Sequence, residues 1–192
     1  EKISPGCHHC YAAQMAQRFG LYDYVKANRD KVEFFLDESK LQDVLRRRTP
    51  TRYFWEDCSD LFGDWVPDEW IDKCFATMAL TPQHTHQCLT KRIDRASRYL
   101  AELSKSYDRL ESAARALGYA LRFEGLPLVP WPIPSIWLGT SIENQEWANR
   151  RVPVLCEVPA ALRFLSVEPQ LGPIDLRPWL KSGKIRWLIQ GG

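Results

Sequence analysis

Cys7-His8-His9-Cys10 places two thiols and two imidazoles in four consecutive residues, and a helical pattern begins at once. Tyr11, Met15 and Phe19 recur at spacing four with alanines between them, and Gly20 can end the helix. Cysteines at a helix start lie near unpaired backbone N–H groups and the positive end of the helix dipole, and both favour the thiolate. Three chemistries use such a pair. A dithiol redox centre needs an apolar strand directly before the pair, and Glu1-Lys2-Ile3-Ser4-Pro5-Gly6 is not one. Zinc needs two further ligands, for which His84, His86 and Cys88, on one face of a strand by the period of two, are the available complement. An iron–sulfur cluster that leaves one iron open takes three thiolates, of which Cys7 and Cys10 supply two.

The other cysteines are expected to stay out of this chemistry. The chain has six in 192 residues, too dilute for a disulfide scaffold, so a reducing, cytoplasmic setting is expected. Cys74 lies on the apolar stripe of a helix, Cys58 and Cys88 within strands, and Cys156 after a short helix. A free cysteine in such places acts as a small hydrophobe. No apolar run is long enough to span a bilayer, and no signal-peptide pattern opens the chain. The charge balance is near neutral, +2 from 26 basic and 24 acidic residues, and gives no global reason for a membrane or nucleic-acid partner. Arg46, Arg47, Arg48 and Arg52, then Lys91, Arg92, Arg95 and Arg98, are compatible with a nucleic-acid substrate but read as solvated helix faces.

The elements that must position the pair alternate. Residues 32–36 read as a short strand, and Leu41, Val44 and Leu45 as one or two helical turns ending before Pro50. Residues 52–60 read as a strand. Residues 66–80 read as a helix, with Pro67 in its first turn and Trp70, Ile71, Cys74, Phe75 and Met78 as its apolar stripe. Residues 84–91 read as the next strand. A helical insert over about 95–125 follows, with leucines at three-four spacing, and suits a long helix or hairpin packed on the domain. Residues 135–144, 162–169 and 185–192 read as three further strands, with a short helix around Trp147 that Pro153 is expected to limit. Strands alternating with helices indicate a parallel sheet with crossover helices. No Gly-rich phosphate turn follows a first strand, so the expected class is α/β, a partial TIM-like (β/α) barrel in one domain over 1–192.

Polar residues gather after each barrel strand: Asp57, Ser59 and Asp60; Thr90, Lys91 and Arg92; Thr140, Ser141, Glu143 and Asn144; Ser166 and Glu168; Gln190, Gly191 and Gly192. In parallel barrels such ends line the active site. Asp60, Lys91, Glu143 and Glu168 are therefore expected to share one cavity.

Five blocks then carry a resemblance: "KISPGCHHCYA", "CSDLFGDWVPDEWID", "LTPQHTHQCLTKR", "WPIPSIWLGTSIENQEWANRRVP" and "LRFLSVEPQLGPIDL". Together they resemble a phage and bacterial family of unknown function whose cysteine motif is similar to the cluster loop of radical S-adenosylmethionine enzymes. The likeness covers nearly the whole chain apart from the helical insert. It implies a radical-SAM-type barrel, a 4Fe–4S cluster ligated by Cys7 and Cys10, and S-adenosylmethionine. Asp60, Lys91, Glu143, Asn144 and Glu168 would hold that cofactor and an unidentified substrate. It also implies a third cysteine immediately before Glu1 and further βα structure after Gly192, so a domain cut at both ends is expected. From another class, the alternative is a non-catalytic module that the cysteine pair stabilises through zinc or an iron–sulfur cluster.

Overall fold

The computed structural model describes residues 2–9, 11–20, 32–55, 59–105, 107–121 and 130–191. Strands β1 (Arg52–Trp55), β2 (Thr85–Thr90), β3 (Ile136–Ser141), β4 (Leu162–Val167) and β5 (Trp187–Gln190) form one five-stranded sheet. Every neighbouring pair is parallel, and each strand lies beside the next in sequence. That is the winding of a barrel wall, not of a doubly wound sheet. The sheet curls into a half-barrel flanked by helices.

The two faces of the sheet differ. On β2, His86, Cys88 and Thr90 share a face by the period of two. Cys88 meets Met78 of helix α3 (Asp68–Leu80), with its Sγ 3.8 Å from the thioether sulfur, so this face carries the helices. Ile136, Leu138 and Thr140 continue it across the register and are buried. The opposite face presents Gln87, Leu89, Trp137, Phe164 and Trp187. Trp187 packs at 5.7 Å from Trp137 and 5.0 Å from Phe164, centroid to centroid. Gly139 lies under this layer because a Cβ there would stand 2.5 Å from Phe164 Cζ.

Four residues of the stripe expected on α3, Ile71, Cys74, Phe75 and Met78, are buried core, and Trp70 is half-buried at its edge. The long helical region is two helices, α4 (Ile93–Leu103) and α5 (Asp108–Ala116). Their apolar positions pack on α6 (Gln145–Glu157) and α3 respectively, so no coiled-coil partner is required. A short α7 (Arg177–Leu180) precedes β5. No helix among the described residues is long and apolar enough to cross a membrane.

Two expectations are corrected. Residues 32–36 form no strand; they run without regular structure into α2 (Glu38–Arg46), and Phe34 and Phe35 remain exposed. An apolar run becomes a strand only when it pairs with a neighbour, and among the described residues the sheet order places no strand beyond β1 or β5. Pro153 does not limit its helix, since α6 runs thirteen residues through it. Pro153 is on the exposed side, while Ala148, Val152, Leu155 and Cys156 bury the other. That burial outweighs the missing N–H, which costs on the order of 3 kcal/mol in a helix interior.

His84 and His86 belong to the far end of β2 and are satisfied there. His86 Nδ1 accepts from Trp55 Nε1 at 3.2 Å, and its Nε2 lies 3.1 Å from Thr81 Oγ1. His84 Nδ1 accepts from the Thr51 backbone at 3.2 Å. His86 lies roughly 16 Å before Lys91 along the strand. The histidines therefore do not complete a zinc site with Cys7, which is beside Lys91.

Candidate active site at the C-terminal mouth of the sheet

Asp60 organises the first wall. Its Oδ1 accepts from the Phe62 backbone at 3.0 Å and from Thr90 Oγ1 at 2.7 Å. Its Oδ2 accepts from the Lys91 backbone at 3.1 Å and from Arg92 Nη1 at 3.3 Å. With four donors engaged, this buried carboxylate fixes the exit of β2 against the loop after β1. The Arg92 guanidinium lies over the Trp65 ring, 4.6 Å from its centroid.

Glu143, two residues past β3, organises the second wall. Its side chain is 0% exposed, and Lys91 Nζ approaches its Oε1 at 2.6 Å. Arg151, 3% exposed, reaches from α6 to place Nη1 at 3.3 Å from Oε2. The same Nη1 donates to the Ser141 carbonyl at 2.8 Å, and the guanidinium lies 4.1 Å from the Trp147 ring centroid. Burial pulls Arg151 below the ordinary guanidinium range, and Glu143 offsets part of that. A fully buried carboxylate persists only where it is paired and hydrogen-bonded, and two cations and a hydroxyl do so here. The hydroxyl is that of Ser4, which donates to Oε1 at 2.6 Å.

Ser4 brings the cysteine with it. A 3-10 turn, Pro5–His9, precedes helix α1 (Tyr11–Arg18), and the Cys7 backbone N–H donates to the Ser4 carbonyl at 3.0 Å. Cys7 Sγ is 3.6 Å from Ser4 Oγ and 3.6 Å from Lys91 Nζ. Burial alone would raise the thiol pKa; the Lys91 charge, with hydrogen bonds from Ile3 and Ser4, brings it below its ordinary value. The arrangement can hold an anionic sulfur at the mouth of the sheet. That suits a metal ligand or a nucleophile.

Of the residues expected here, Asp60, Lys91, Glu143 and Cys7 share one connected network. Asn144 caps α6, its Oδ1 accepting from the Trp147 backbone at 3.0 Å, and so sets the helix that carries Arg151. Glu168 is exposed and lies against Gly191, where a Cβ would stand 2.5 Å from its Oε1. Beside it, Gln170, Gly172, Gln190 and Gly191 line a cavity of about 390 Å³. Cys10, Asp57, Cys58 and Gly192 lie outside the described residues. Cys74, Cys88 and Cys156 are buried thiols, with Cys156 raised in pKa by its burial. The described residues contain no cluster of three or more potential metal ligands. Sequence reasoning missed Ser4, Gly6 and Arg151. Only Arg151 left a signal, as a basic residue on the inward face of α6 two turns after Glu143.

Residues 1–192 match the profile of a protein family described as "Protein of unknown function (DUF5131)". No curated protein and no solved structure matches the chain.

Proposed function

The chain belongs to the DUF5131 family, and from that premise we propose a phage-associated, cytoplasmic iron–sulfur enzyme of the radical S-adenosylmethionine type. Its site would be the C-terminal mouth of the sheet. One observation carries the reading: a half-buried cysteine of lowered pKa stands at that mouth, beside a lysine paired with a fully buried glutamate.

The residues present fit a thiolate-bound group. Metal ligation requires the deprotonated sulfur, and Lys91 favours that form of Cys7. Cys7 and Cys10 would be two ligands of a 4Fe–4S cluster. Bound there, the cluster would supply electrons to S-adenosylmethionine at its open iron. The chain's own residues position and shield. Glu143 and Arg151 hold Lys91 in place, Asp60 fixes its backbone N–H and the side chains of Thr90 and Arg92 on either side, and Asn144 sets the direction of α6. Glu168 offers an exposed carboxylate on the same rim to an amino group of cofactor or substrate.

The test is anaerobic reconstitution of a chain carrying a cysteine immediately before Glu1, the position that the family resemblance gives to the third ligand. Uptake of iron and sulfide, and an electron paramagnetic resonance signal perturbed by S-adenosylmethionine, are expected. Cys7→Ala and Cys10→Ala should abolish both. Preferential zinc uptake with no response to S-adenosylmethionine would replace this reading with a non-catalytic, metal-stabilised module.

A further inference from the structure

We propose that Glu143 is a positioning residue, a buried clasp that seats the segment Ile3–His9 over the mouth of the sheet, with Gly6 as the contact that lets it close. The functional weight of the clasp rests on the reading of Cys7 as a ligand; its existence rests on geometry alone.

Glu143 is reached from three directions. Lys91 and Arg151 belong to the body of the fold, at 2.6 and 3.3 Å, while Ser4 comes from 139 residues away in sequence, at 2.6 Å. Two residues further on, Gly6 lies flat against the same side chain. A Cβ at Gly6 would stand 2.8 Å from Glu143 Oε1 and 3.0 Å from Cδ, closer than atoms pack. An exposed glutamate would swing aside. This one is 0% exposed and held by two cations, so the segment must give way instead. The remaining grip on the segment is slight. Pro5, His8 and His9 are exposed, and α1 buries only the small side chains of Ala12 and Ala16 among its described residues. One carboxylate therefore sets both the docking of the cysteine loop and the reach of Lys91 to Cys7 Sγ, 3.6 Å away.

The experiment is amide hydrogen exchange on the full chain, read for residues 3–9 against β2, β3 and β4. Gly6→Ala should speed exchange in the segment about tenfold or more, the scale of a lost hydrogen bond to a charged group, and leave the strands protected. Glu143→Ala should speed exchange in the segment beyond a smaller, uniform acceleration in the strands from the lost ion pairs. In the Glu143→Ala background Gly6→Ala should add nothing, because the side chain it would strike is gone. Unchanged exchange in Gly6→Ala, or additive effects in the double variant, would overturn the clasp. Should Glu143→Ala fail to fold, Ser4→Ala decides: faster exchange confined to residues 3–9 supports the clasp, and unchanged exchange removes it. Iron content, measured on the same proteins after reconstitution, separates the two readings. Loosening in the variants without iron in the parent keeps the clasp and removes the cluster. Equal iron in parent and Gly6→Ala, with unchanged exchange, removes the clasp alone.

Discussion

Lys91 Nζ and Glu143 Oε1 meet at 2.6 Å, with the glutamate wholly buried and the lysine 22% exposed. Desolvation of the carboxylate is offset only while its partners stay. Lys91→Met should therefore destabilise the protein by roughly 2 to 3 kcal/mol, since Arg151 and Ser4 remain to share the charge. Glu143→Gln, which removes the charge but keeps the shape, should cost less than Glu143→Ala. Urea denaturation of the three variants gives the order, and an unchanged midpoint for Lys91→Met would exclude the pairing as a source of stability.

Cys7 should alkylate as an acidic thiol. Followed by peptide mapping, its reaction with iodoacetamide should show a pH midpoint below the roughly 8.5 of a free cysteine. Lys91→Met should move that midpoint up, because the Lys91 charge is the chief influence opposing desolvation. Cys74, Cys88 and Cys156, all buried, should stay unmodified in the native protein. A midpoint indifferent to Lys91 would mean that the two groups do not meet in solution.

His86 should make the fold acid-sensitive. Burial first, and then the neighbouring His84, lower its pKa from 6.5 to about 4. Over that interval the unfolded chain binds a proton that the native imidazole does not, so stability rises with pH. It should be complete above about pH 6.5 and fall by up to about 1.4 kcal/mol per pH unit on acidification toward pH 4. His86→Gln should flatten the slope in unfolding experiments between these limits, even where it lowers stability overall. An equal slope in both proteins would assign the acid sensitivity elsewhere.

Pro153→Ala should stabilise α6. Pro153 is exposed, within the helix, and lacks the N–H that would bond to the Asn149 carbonyl. Restoring that bond in an otherwise unchanged helix should add about 1 to 3 kcal/mol. The thermal midpoint reads it, and a lowered midpoint would show that the ring itself packs in the native state.

Residue spacing alone reads out the alternation of the barrel strands with helices, most of the buried stripe of α3 and the polar strand ends. These are local properties. Side-chain period and backbone chemistry act within a few residues, so Trp70 to Met78 on α3 and Thr85 to Thr90 on β2 were legible from spacing alone. The remaining features depend on contacts between distant segments. Whether an extended apolar run becomes a strand depends on pairing with a neighbour, which β1 finds in β2 and residues 32–36 do not make. Which face of β2 meets the helices depends on α3, not on β2. The strand-end residues also divide by partners that spacing does not encode: Asp60 is filled by donors from its own loop and from the end and exit of β2, Asn144 by its own helix, and Glu168 is left exposed. The Ser4–Glu143 bond joins residues 139 positions apart. No periodicity spans that distance; it exists because the parallel sheet brings the ends of β2 and β3 together and leaves a buried carboxylate there that needs a third donor.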